Sequence, residues 1–175
     1  MCLYLPCASC AGWISQHGVS VIVKPQLKSA YLGELRLEFA HSHIVGETPL
    51  GTRRVDCFDS GHFIGPRLTT RVIPGTSDWI LGGQDLVYRP DVRVCLETDT
   101  GEMILMSYRG IRRGSPEVME RFAKSLPVDP DSYYLRSLIQ FETASAQYSW
   151  LNELVAVGVG RRKPKVTSYD VFEIL

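Results

Sequence analysis

The feature that most limits what this chain can become is a two-residue alternation that starts near Tyr31 and recurs to the C-terminus. In "LGELRLEFAH", Leu35, Leu37 and Phe39 alternate with Glu34, Arg36 and Glu38, the pattern of a strand buried on one face. Turn residues interrupt it at strand-length intervals. "GETPLGTRR" reads as a turn, and Gly61, Gly65-Pro66 and Pro74-Gly75 punctuate the stretch that follows. A strand near 90–98, the turn Asp99-Thr-Gly101 and a return strand near 102–109 come next. "YYLRSLIQFET", "SWLNELVAVGVGRR" and "VTSYDVFEIL" then read as three more strands. A single helix is expected from Ser115 to Ser125, with Ser115 as N-cap and Pro116 as its first residue. Val118, Met119 and Phe122 form its apolar stripe, and "PVDPDS" ends it. Many short strands, one short helix and no repeat of 20–50 residues predict an all-β, mainly antiparallel fold: a closed or nearly closed β-barrel.

A chain of 175 residues suits one domain with a real core. Residues 1–29 lack periodicity and read as an N-terminal extension, disordered at least in part, ahead of a single barrel domain over 31–175. Lys+Arg and Asp+Glu balance at 19 each, which argues against nucleic acid as a partner. Arg161-Arg162-Lys163-Pro164-Lys165 is a short basic run and reads as a solvated loop. No apolar run approaches the ~20 residues of a membrane span, so no membrane partner is expected. "MCLYLPCASCAGW" lacks the basic start of a secretory signal. Five cysteines form no disulfide framework, and Cys7-Ala-Ser-Cys10 lacks the βαβ context of a redox motif. A reduced, cytoplasmic protein is the expectation.

In "DVRVCLETDTG", the residues Asp91, Arg93, Cys95 and Glu97 share one strand face, while Val92, Val94, Leu96 and Thr98 share the other. Tyr134, Arg136, Leu138, Gln140 and Glu142 likewise share a face of "YYLRSLIQFET". Ile104, Met106 and Tyr108 oppose Met103, Leu105, Ser107 and Arg109. These mixed faces are rich in Arg and Tyr, and Arg suits bidentate recognition of a carboxylate or phosphate. Either such a row faces water, as polar faces of sheets do, or it lines a pocket.

No nucleophile elbow, HExxH, P-loop or dinucleotide fingerprint is present. His41-Ser42-His43 has strand spacing for two ligands on one face, with Glu47 and His62 as the nearest further donors. Neither spacing is diagnostic, and no metal is expected. Catalysis would then be acid/base work without a cofactor, a carboxylate being tuned toward neutrality. The expected proton carriers are Glu97 and Glu142, with Tyr108 and Tyr134 as donors. Arg93, Arg112 and Arg136 are the expected anion clamps, and Trp79 and Trp150 the apolar walls.

A series of motifs occurs in order: Gly61-x-Phe63-x-Gly65-Pro66-x-Leu68, Pro74-Gly75-x-x-Asp78-Trp79, Asp91-x-Arg93, Thr98-Asp99-x-Gly101, Arg109-Gly110-Ile111-Arg112-x-Gly114, Tyr133-Tyr134-x-Arg136, Phe141-Glu142-Thr143 and Tyr148-x-Trp150-Leu151-Asn152. Together they resemble the family of small proteins catalogued as domain of unknown function 3237, over about residues 31–175. Thr76-Ser77 stand where that family tends to have Gly-Ala. The resemblance implies a compact antiparallel barrel with a helix at one side, favours an inward-facing polar row, and adds Asn152 to the candidate ligand-binding residues. It carries no activity. The functional expectation is a barrel binding a small organic molecule, one that could bear an acid group, and performing a cofactor-independent isomerisation, cyclisation or elimination. A non-catalytic carrier or sensor, and a structural assembly module in which the polar row is solvated, are the alternatives. Self-association is left open.

Overall fold

The computed structural model describes residues 26–175. The expected extension and Cys2, Cys7 and Cys10 lie almost wholly outside these residues. The described chain is antiparallel strand with one α-helix. A long hairpin opens it, β1 (Ser29–Thr48) and β2 (Gly51–Ile64), joined by a turn at Pro49-Leu50. Short strands follow: β3 (Thr69–Val72), β4 (Thr76–Asp78), β5 (Leu81–Gly82) and β6 (Tyr88–Arg89). Then come β7 (Asp91–Glu97) and β8 (Met103–Gly114), the helix α1 (Pro116–Ala123), and β9 (Tyr133–Glu142), β10 (Ala156–Lys163) and β11 (Val166–Ile174).

The sheet closes on itself. β1 pairs with β11, β11 with β10, β10 with β9 and β9 with β8; β6 and β5 then bridge β8 to β2, and β2 pairs with β1. On the same side, β7 runs between β8 and the short strands β3 and β4, which pair back to β2. Closure removes the free edges that an open sheet would expose. Among the described residues no helix is long and apolar enough to cross a membrane.

The ring encloses one residue of each alternating pair. Leu35, Leu37, Phe63, Val92, Val94, Leu96, Ile104, Met106, Ile139 and Val171 are buried in one continuous core. The helix packs Met119 and Phe122 against it, and its first turn is capped as expected: Pro116 leads, and the Ser115 hydroxyl accepts the Val118 N–H at 3.3 Å. "SWLNELVAVGVGRR" is not one strand. Ser149–Glu153 form a 3-10 turn that sends Leu151 into the core, and strand pairing begins only at Ala156. "GETPLGTRR" is mostly strand too, because the register of β1 on β2 runs out to Thr48↔Gly51.

The β1–β2 ladder slips near the barrel wall, where Glu38 faces Ser60 but Phe39 faces Phe58. Gly61 lies beside that bulge at φ +139°, and a Cβ there would stand 2.1 Å from the Arg36 carbonyl oxygen. Glycine meets both demands. Gly61→Ala is expected to lower the unfolding free energy by more than ~1 kcal/mol, read as a lower denaturant midpoint at unchanged slope.

Candidate active site

One end of the barrel is filled by Phe63, Phe141, Leu96 and Leu151; the opposite end holds a cavity of about 300 Å³. Its apolar wall includes Phe39, Phe58, Phe122, Leu135 and Pro90, and its polar lining includes Ser42, Arg54, Asp56, Asp78, Arg112, Arg162 and Tyr169, with Lys165 and Thr167 at its margin. An apolar cup with a few convergent polar groups is the usual form of a small-molecule site, here at the lower end of the usual size.

The strand registers assemble these groups. Ser42 on β1 faces Asp56 on β2, and Asp56 in turn faces Asp78 on β4, so the side chains form a row across three neighbouring strands. The Ser42 hydroxyl donates to Asp56 Oδ1 at 2.5 Å, and Arg54 Nε lies 3.0 Å from the same oxygen. Arg54 Nη2 donates to Oδ2 at 3.1 Å, so Asp56 is a fully partnered carboxylate. Among the described residues Asp78 has one hydrogen-bond partner, the Asp91 backbone N–H at 3.1 Å. It keeps some surface on the cavity but is otherwise surrounded by protein. Burial pushes its pKa up to about 6; the Asp56 charge adds to the rise, and the Asp91 N–H, Arg112 and Arg54 oppose it. Two carboxyl groups on adjacent strands thus sit in unlike environments, the arrangement that separates acid from base roles.

Arg112 is 4 % exposed and makes no ion pair among the described residues, and its Nε has no hydrogen-bond partner. Its guanidinium lies 4.7 Å from the Tyr88 ring centre and 5.3 Å from that of Phe122. Burial, with Arg162 and Arg54 nearby, lowers its pKa to about 10, which still leaves it charged at neutral pH. The Arg162 guanidinium stands 6.0 Å from the centre of the same Phe122 ring, and burial lowers its pKa as well. Aromatic faces favour such cations but supply no counter-charge. Tyr169 lies on the cavity wall and Tyr108 directly behind it, their ring centres 5.0 Å apart. Burial raises the Tyr169 pKa to about 12, and lifts that of Tyr108 well above the ordinary phenol value. Gly160 makes room for Tyr169 and Leu135: a Cβ there would come within 2.7 Å of the first and 2.4 Å of the second.

Of the residues expected from sequence, the structure brings Arg112 to the cavity and places Tyr108 one layer behind it. The inward orientation expected for the charged row of β7 and β9 is corrected. Arg93, Arg136 and Glu142 are exposed and Glu97 is half-exposed, because the ring encloses Val92, Val94 and Leu96 and, on β9, Leu135, Ser137 and Ile139. Outside, Glu97 pairs with Arg71, and Arg93 and Arg109 share Asp91 at 2.6 and 3.2 Å. Such exposed pairs contribute ~1 kcal/mol or less each. Tyr134 is 40 % exposed, with the guanidinium groups of Arg113 and Arg136 each 5.1 Å from its ring centre. Trp79 is 54 % exposed, and Trp150 lies under Arg67 on the outer surface. Asn152 both accepts from and donates to the Thr143 backbone, tying the loop after β9. None of these outer residues lines the cavity.

Asp56, Asp78, Arg54, Arg162 and Tyr169 were not among the sequence candidates. The signal for Arg162 was present: β10 continues to Lys163, so alternation turns Arg161 outward to Asp170 at 2.5 Å and Arg162 inward.

Comparison with known proteins places this geometry among relatives. The sequence pattern of the family described as "Protein of unknown function (DUF3237)" matches residues 25–174. The UPF0311 protein RPA1785 of Rhodopseudomonas palustris is 26% identical over 151 residues, covering 86% of this chain and 99% of that protein. Its crystal structure superposes with a TM-score of 0.84 over 87% of this chain and all of the other. A β-barrel-like protein from Acinetobacter baumannii AYE is 33% identical, with a TM-score of 0.75 over 87% of this chain and 98% of that one. A structure described as an enzyme from Penicillium herquei shares the fold at 19% identity and a TM-score of 0.64, over 87% and 98% of the two chains.

The raised Asp78 pKa has a consequence for stability. Between its ordinary 3.8 and about 6 the folded state holds a proton that the unfolded chain has released. Stability from this group is therefore complete below about 3.8 and is lost as pH rises through about 6. Asp78→Asn is expected to be more stable than the wild type at pH 7, by up to ~3 kcal/mol, with the difference vanishing near pH 4. Chemical denaturation at the two pH values measures it.

Proposed function

This chain belongs to the family described as "Protein of unknown function (DUF3237)", and within it we propose a cofactor-independent acid/base enzyme acting on a small organic anion held in the barrel cavity. The observation that carries this reading is Arg112: a buried guanidinium with no ion pair among the described residues, facing a cavity that also holds a carboxyl group poised near neutrality. An unpaired buried charge is costly unless something compensates it, and a ligand oxyanion would do so. Arg162 adds a second cation to the same cup.

In this reading Asp78 removes a proton from carbon next to a carbonyl, and the electron pair moves to the carbonyl oxygen, which becomes an enolate facing Arg112. The same carboxyl group then returns the proton at another atom, which completes an isomerisation; or the enolate collapses to a carbon–carbon double bond, the bond to a leaving group on the next carbon breaks with its electron pair, and Asp78 passes its proton to that group, which completes an elimination. No oxidant or reductant is needed. Asp56, already engaged by Arg54 and Ser42, keeps a fixed negative charge beside Asp78 and so holds its basicity up. Phe39, Phe58 and Leu135 would hold the substrate's apolar body and exclude water. The Penicillium herquei neighbour is described as an enzyme, which by analogy of fold alone supports catalysis on this scaffold. A carrier of the same anion would use the same cavity without the proton transfer.

The test is mass spectrometry of a cellular small-molecule extract before and after incubation with the pure protein, beside Asp78→Asn and Glu142→Gln. A compound consumed by the wild type and by Glu142→Gln, but spared by Asp78→Asn, is the expected result, with a loss of ~100-fold or more in rate. Equal consumption by all three would remove Asp78 from the chemistry. Retention of an unaltered compound by all three would make the protein a carrier.

A further inference from the structure

The outer face of the β1–β2 hairpin carries a group of side chains with no part in the cavity. His41 and His43 stand two residues apart on β1 and so share a face. Cys57 is the direct partner of His41 across the ladder. Their donor atoms, one from each residue, all lie within 4.8 Å of one another. The two Nε2 atoms are 3.2 Å apart, and the rings meet edge to face at 87°. Nitrogens bound at about 2.0–2.1 Å to one tetrahedral zinc would be separated by ~3.3 Å, and a thiolate sulfur sits at about 2.3 Å. Both exposed imidazoles therefore already hold the spacing of a shared ion, and a small rotation of the side chains brings in Cys57.

We infer that His41, His43 and Cys57 form a zinc site on the outside of the barrel. A thiolate with two imidazoles is a borderline-soft donor set, which suits zinc and disfavours magnesium or calcium. The fourth position is open to water, with Asp59 exposed on the same hollow. The position of the site gives it a task. It spans the two strands where the ladder slips between Phe39 and His41, and the residues interleaved with its ligands, Ser42 and Asp56, turn the other way into the cavity. Bound zinc clamps β1 to β2 across this irregularity and so fixes the strands that carry Ser42 and Asp56. The inference stands on the outer face alone and does not require the cavity to be catalytic.

The experiment is a titration of the full-length, reduced protein with cobalt(II), followed by zinc competition against a chromophoric chelator. Thermal unfolding is recorded with and without zinc. Cys7 and Cys10 are a closely spaced thiol pair elsewhere in the chain, so Cys7→Ser/Cys10→Ser is run as a control, with Cys95→Ser as another. A thiolate-to-cobalt absorption band is expected in the wild type and in both controls, and its loss in Cys57→Ser. Zinc affinity should fall in His41→Ala and His43→Ala by more than the ~10–100-fold that loss of an outer-sphere partner costs. Zinc should raise the unfolding midpoint of the wild type but not of Cys57→Ser. His41, His43, Cys57 and Cys95 are exposed or half-exposed, and unchanged metal-free midpoints show that the variants fold. Absence of a cobalt band in the wild type, a band that survives Cys57→Ser, or zinc affinity unchanged by both histidine variants would overturn the site.

Discussion

Ring closure is the constraint on which the remainder of the structure depends: once β2 pairs back onto β1, each strand has an inside and an outside and no edge on which to leave a misplaced group. The interior of such a ring is filled wherever its strands supply Leu, Val, Ile and Phe at every second position. It stays open only where they do not. At the end of the barrel lined by β4 and the C-terminal halves of β8 and β10, the inward positions are Asp78, Arg112 and Arg162 in place of aliphatic residues. The cavity is therefore a direct product of which residue types the alternation delivers inward at that level.

Those inward charges are not balanced among themselves. Asp56 is satisfied by Arg54 and Ser42, which leaves Asp78 as the counter-charge for two further arginines. Aromatic rings around Arg112 reduce its desolvation penalty, and Phe122 serves both arginines because the helix lays it across the mouth. A protein selected for stability alone would replace such a group with a hydrophobe of similar volume, since buried charges without partners are net costs. The imbalance is intelligible if the missing charge arrives with a ligand.

Most of the architecture could be read from alternation, because period-2 patterning and turn residues survive into the folded state almost unchanged. The side of each alternation was harder. On β7 the row Asp91, Arg93, Glu97 looked like chemistry, yet the ring took Val92, Val94 and Leu96, and a strand with one fully apolar face has no choice about which face goes in. The informative strands were those where neither face is wholly apolar. In "RRVDCFD" on β2, Arg54, Asp56 and Phe58 go inward at one end while Cys57 goes outward, and only the register with β1 and β4 decides it. Register is a long-range property, and one sequence of short strands does not reveal it. The same reason hid the approach of Cys57 to His41 and His43, which are separated in sequence by the whole of the hairpin turn.

The two faces of this hairpin are nevertheless mechanically one object. Ser42 and Asp56 point into the cavity from backbone positions adjacent to His43 and Cys57, which point out. A shift of one face by a residue would carry the other with it, since strand alternation forbids moving them separately. Asp56 in turn faces Asp78 across the next ladder, and the elevated basicity of Asp78 depends in part on that charge staying where it is. Whatever stiffens the bulged pairing of β1 with β2 therefore acts on the separation of the two carboxyl groups, and through it on the proton affinity of the one that faces the cavity with least support.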